Sequence, residues 1–146
     1  MRKDSRLSRV LHVLVHLEAI ERPVTSEEMA EMISTNAVVV RRTMALLRKA
    51  NYVTSTKGHH GGWQLAKPLA SITLLDIHHA LGESSIFTIG LTDEHSQCVI
   101  EQAVNAALKD VMNEAETLML QRFGQITLDK LAYNKLFGTK PQEAQN

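Results

Sequence analysis

Residues 34–50 read STNAVVVRRTMALLRKA: three cap-type residues, then fourteen positions without glycine or proline. On a helix of about 3.6 residues per turn, Val40, Met44 and Leu47 fall on one side. Val38, Arg42, Ala45 and Lys49 fall on the other, with Arg41 and Arg48 flanking them. The pattern predicts an amphipathic helix that buries an apolar side and turns a basic side outward.

The segment on the N-terminal side gives this helix its meaning. VTSEEM (24–29) places Thr25 and Glu28 at capping-box spacing and Val24 in position to staple to Met29, so a short helix is expected over 26–33. Before it, Leu7, Val10, Leu14 and Leu17 recur at helical spacing, and Pro23 closes that first helix. Two helices joined by about three residues, the second longer and basic outward, make a helix-turn-helix.

On the C-terminal side the motif is extended by a hairpin. YVTST and GWQLA are β-rich runs on either side of KGHHG (57–61), the signature of a hairpin with a glycine-containing loop. A hairpin directly after a recognition-type helix is a wing. Gly58 and Gly61 are expected to take positive φ at its tip, Gly62 to let the return strand start close to its partner, and Trp63 to anchor it.

SITLLDIHHALGE (71–83) repeats the start signals of the second helix, with Thr73 and Asp76 as capping box and Ile72 and Ile77 as staple, and Gly82 as its stop. Residues 83–95 read as loop. From 96 to 123 there is no breaker, and Val104, Leu108, Val111, Ala115 and Leu118 keep alternating spacings of four and three, with Ile100 one turn before them as a further interface candidate. That is a heptad seam on a helix of roughly 40 Å, and a two-fold copy is the most economical way to cover it. Packing onto its own domain is the competing reading. Leu128–Phe137 reads as a last short helix and 139–146 as a flexible polar tail.

The resulting expectation is a mainly α fold: a winged helix-turn-helix over 1–70, then linker helix, dimerisation helix and short terminal helix over 71–138. Net charge is zero, yet residues 1–70 hold 11 Lys and Arg against 6 Asp and Glu, and residues 71–146 hold 5 against 10. A basic half joined to an acidic half suits a polyanion-binding module with an appendage. Nothing at the start resembles a signal peptide, and the longest apolar run, 10–17, is broken by His12 and His16, so a cytoplasmic location is expected. No paired carboxylates, nucleophile with base, or phosphate loop stands out, and Asp93 and Glu94 read as loop residues, so no enzyme is expected.

VVVRRTMALLRKANYV, GGWQLAKP and ITLLDIHHALGE, in this order and at this spacing, resemble the Rrf2 family of bacterial winged-helix transcription regulators. The resemblance covers residues 1 to about 123. It implies a homodimer in which each winged helix reads a half-site of an operator, commonly as a repressor, and the long helix pairs with its mate. Many members sense iron, nitric oxide or redox state through an iron-sulfur cluster on three cysteines near the start of that helix. Here the region reads EHSQCVIEQA and offers only Cys98. The cluster role does not carry over, no cofactor is expected, and a lone thiol, a small molecule or a protein partner is left as effector.

Candidate DNA contacts are Thr35, Asn36, Val38, Arg41, Arg42 and Lys49 on the helix, and Lys57, His59 and His60 at the wing tip. Arg42 suits a guanine edge because its planar fork matches O6 and N7. Thr35 and Asn36 sit where a helix start meets phosphate, with plain capping as the alternative. The wing-tip residues suit a minor groove. Cys98 beside His95 is a candidate sensor, since a protonated histidine or a helix start lowers a thiol pKa. His12 and His16 lie one turn apart but are only two ligands, which favours a surface role, and no metal site is expected. The rival readings are a winged helix kept for protein contact and a thiol or metal redox sensor.

Overall fold

Side-chain caps set where three of the five described α-helices begin. The computed structural model describes residues 5–82, 86, 90–92 and 95–131. Within them run α1 (Arg6–Ala19), α2 (Ser26–Met32), α3 (Ala37–Lys49), β1 (Val53–Thr56), β2 (Gly62–Leu65), α4 (Leu74–Ala80) and α5 (Val99–Gln125). Both expected capping boxes form. Thr25 Oγ1 accepts from the Glu28 N–H and the Glu28 carboxylate accepts from the Thr25 N–H; Thr73 and Asp76 do the same for α4.

The helix ends were less visible in the sequence. After α2, Ser34 takes φ 52°, its N–H donates to the Glu31 carbonyl, and the Thr35 N–H donates to the Ala30 carbonyl. After α3, Asn51 takes φ 66°, with Asn51 N–H on the Arg48 carbonyl and Tyr52 N–H on the Leu47 carbonyl. Each is a Schellman ending, a left-handed residue that turns the chain and satisfies two orphan carbonyls. The cap-type triplet of residues 34–36 is therefore divided: Ser34 and Thr35 close α2, and Asn36 alone caps α3, accepting from the Val39 N–H at 3.0 Å.

The hairpin pairs Val53 with Leu65, Thr54 with Gln64, Ser55 with Trp63 and Thr56 with Gly62. On its other edge, Trp63 exchanges two backbone hydrogen bonds with Val24, at 2.8 and 3.0 Å, so the segment before α2 serves as a third, one-residue strand. The tip glycines differ from expectation. Positive φ falls on Gly58 (88°) and His60 (63°), not on Gly61. A Cβ on Gly61 would lie 2.4 Å from the Thr56 carbonyl oxygen, so its role is close approach across the loop. Gly62 has both constraints: φ is 152° and a Cβ would lie 2.6 Å from the Val24 carbonyl oxygen.

One core unites these parts. Leu14 of α1, Met29 of α2, Met44 and Leu47 of α3, Val53 of β1 and Ile77 of α4 are all essentially fully buried. The chain after α5 returns to the same core: Leu74 N–H donates to the Ile126 carbonyl, Leu128 N–H donates to the Ile72 carbonyl, and the Leu128 side chain is fully buried. Of the expected terminal helix, residues 128–131 are helical; its remainder and the tail lie outside the described residues.

Helix α5 is the exception to burial. None of its 27 residues is buried, and it meets the core near its C-terminal end, with Gly124 against Leu75 and Phe123 edge-on to His78. Val99 and Ile100 are each 76% exposed, Val111 65% and Leu118 67%, and Val104 and Leu108 are exposed as well.

Candidate nucleic-acid interface

The outward side of α3 is built by subtraction. Its apolar positions, Val40, Met44 and Leu47, are consumed by the core, which leaves Val38, Arg42 and Lys49 exposed. Val38 is 59% exposed, unusual for a valine on a short helix packed against a core. Among the described residues neither Arg42 nor Lys49 enters an ion pair.

The four basic side chains of α3 do not share one fate. Arg41 reaches back to α2 and pairs with Glu27 at 2.7 Å, so its charge is already partly compensated. Arg48 turns toward the wing: one guanidinium nitrogen donates to Ser55 Oγ at 3.1 Å, and the group lies 5.7 Å from the centre of the Trp63 ring. That combination of hydrogen bond and cation–π contact ties the hairpin to α3. Trp63 is held from beneath as well, because its indole N–H donates to the buried Ser26 hydroxyl at 3.0 Å.

This latch is not legible in the sequence. Ser26 and Trp63 are 37 residues apart and no periodicity links them. The one signal available is the indole N–H itself, which demands a partner once the ring is buried.

The remaining candidates separate cleanly. Thr35 is half-buried with its N–H spent on the α2 ending, and the Asn36 side chain is committed to capping, so both shape the α3 start. Lys57, His59 and His60 are all exposed at the wing tip, and the two imidazole rings lie 3.9 Å apart. His95 and Cys98 are exposed, Cys98 being the residue that leads into α5 with its N–H on Ser96 Oγ. Asp93 and Glu94 lie outside the described residues.

The helix pair, the hairpin latched to its second helix and the open basic face define a winged helix-turn-helix of the DNA-binding regulator class. Residues 4–134 match the Rrf2 family, described as iron-dependent transcriptional regulators, and the chain belongs to that family. It is 30% identical over 134 residues to YwnA of Bacillus subtilis, a protein with a provisional HTH-type transcriptional regulator name, spanning 92% of this chain and 98% of YwnA. Protein rrf2 of Nitratidesulfovibrio vulgaris is 30% identical over 117 residues, covering 80% of this chain and 76% of that one. Among solved structures, T. potens IscR superposes with a TM-score of 0.70 at 21% identity, over 97% of this chain and 93% of that one, a likeness of fold. The family consists of transcription regulators, not enzymes. Among the described residues no helix is long and apolar enough to cross a membrane.

The iron in the family's description finds no set of cysteines here. A cluster is held by several thiolates, and this chain supplies one, on an exposed residue. Among the described residues no group of three or more His, Cys, Asp or Glu converges on a point that could hold a metal.

Proposed function

We propose that the chain works as a homodimeric, sequence-specific DNA-binding repressor in the cytoplasm, with residues 1–70 reading DNA and 71–138 joining two copies. The observation that carries this reading is the open face of α3. Val38, Arg42 and Lys49 are exposed there, and neither basic residue has an ion-pair partner among the described residues, while Arg41 and Arg48 are drawn away to Glu27 and the wing. In a major groove, Arg42 suits a guanine edge, Val38 a thymine methyl, and Lys49 a phosphate. The start of α3 offers free backbone N–H groups to a second phosphate. Lys57, His59 and His60 follow the adjacent minor groove, an attractive place for basic side chains.

The exposed seam of α5 supports the dimer. Ile100, Val104, Leu108, Val111, Ala115 and Leu118 would form a continuous apolar stripe in water, and a second α5 covers it at heptad register. A pair of such chains occupies two half-sites of an operator and blocks transcription by occupancy. The signal is a small molecule, a protein partner or the Cys98 thiol with His95 beside it, and not a three-cysteine cluster. Fluorescence anisotropy with a binding site selected from genomic fragments tests the reading. Tight binding to the selected duplex that weakens with salt is expected, and a reporter behind that site should fall in output when the protein is expressed.

A further inference from the structure

We propose that His12 and His16 form a two-imidazole chelate on α1 for a divalent transition-metal ion of right-angled geometry, Cu(II) ahead of Ni(II). Their spacing of four residues puts both rings on one side of the helix, and their Nε2 atoms converge to 2.9 Å. The ring centroids are 4.7 Å apart with the planes tilted by 40°. Two metal–imidazole bonds of about 2.0–2.1 Å meeting at a right angle span about 2.9 Å, whereas the same bonds at a tetrahedral angle span about 3.4 Å. The observed separation therefore suits a tetragonal ion, and copper stands at the top of the affinity order for nitrogen ligands.

Binding requires both rings neutral with the ring proton on Nδ1, so that both Nε2 lone pairs face the ion. Among the described residues no acidic or sulfur ligand joins the pair, so water fills the remaining positions. Such a site exchanges its ion readily and does not resemble a closed structural centre. The same Nε2 separation also fits one neutral imidazole donating its N–H to the other, and the experiment decides between the two.

Tag-free protein stripped with chelator is titrated with copper chloride against a competing amino acid, with electron paramagnetic resonance read at one equivalent. The site predicts one Cu(II) per chain with two equatorial imidazole nitrogens. His12→Gln and His16→Gln should each weaken binding by at least the roughly tenfold that loss of an outer-shell partner brings, with helical circular dichroism unchanged. A His59→Ala/His60→Ala protein should keep the ion. Unchanged affinity in either Gln variant overturns the proposal and leaves the pair as a hydrogen bond; loss of the ion only in the wing variant overturns it too and moves copper to the wing tip.

Discussion

Arg42 and Arg48 stand six residues apart on one helix, and the difference between them is what each side chain can reach. Arg48 finds Ser55 and the Trp63 ring; Arg42 finds solvent. Their charges are identical, so no composition argument separates them, and the sequence marked both only as basic positions around an outer face. The helical period did identify the face, because Val40, Met44 and Leu47 had to go inward. Which arginine is spent internally depended on the wing's placement, a tertiary fact. At this scale the Trp63 latch makes a sharp prediction. Trp63→Phe keeps the ring but strands the buried Ser26 hydroxyl, and should lower unfolding free energy by about 1–3 kcal/mol in urea titration. Gly62→Ala should cost about as much or more, since it meets the Val24 carbonyl and forces a side chain to φ 152°. If either variant unfolds at the wild-type midpoint, the hairpin is not held in the way described.

Elements were legible in proportion to how local their signals are. Both capping boxes and the hairpin could be read from residues three to five apart, and they formed as expected apart from the φ pattern at the tip. The two Schellman endings were harder, because Ser34 and Asn51 reach positive φ without glycine. Gly61 was misjudged for a related reason: a glycine chosen for close approach looks the same in sequence as one chosen for φ. Helix α5 shows the limit from the other side. Its heptad seam is visible in the sequence and remains uncovered in the single chain. Leu108→Lys places a charge in the middle of that stripe without touching the core, so sedimentation velocity should show a monomer where wild type gives a dimer at micromolar concentration. A wild-type monomer would rule out the dimer. The α2 cap carries a pH signature of its own. Arg22 and the Thr25 N–H hold the Glu28 carboxylate pKa below its ordinary value, so its contribution is present above the usual carboxylate range and fades as pH falls through the lowered value. Glu28→Gln should flatten that part of the acid-stability profile.

At the scale of the whole molecule, the basic half carries the exposed face and the acidic half carries α5, so charge and architecture divide along the same line. If two copies join along α5, two α3 faces are carried on one particle, and the operator should hold an inverted repeat with half-sites one helical turn apart, about 34–36 Å, or a multiple of it. Lys49→Ala should weaken selected and random duplexes alike and reduce the salt slope by about one, because phosphate contact carries no sequence information. Base reading by the open face of α3 comes down to one titration: Arg42→Ala against the selected operator and a scrambled duplex, by anisotropy at fixed salt. Base reading by Arg42 predicts a loss of about 1–3 kcal/mol on the operator and little on the scrambled duplex. Unchanged operator affinity, or an equal loss on both, would contradict it.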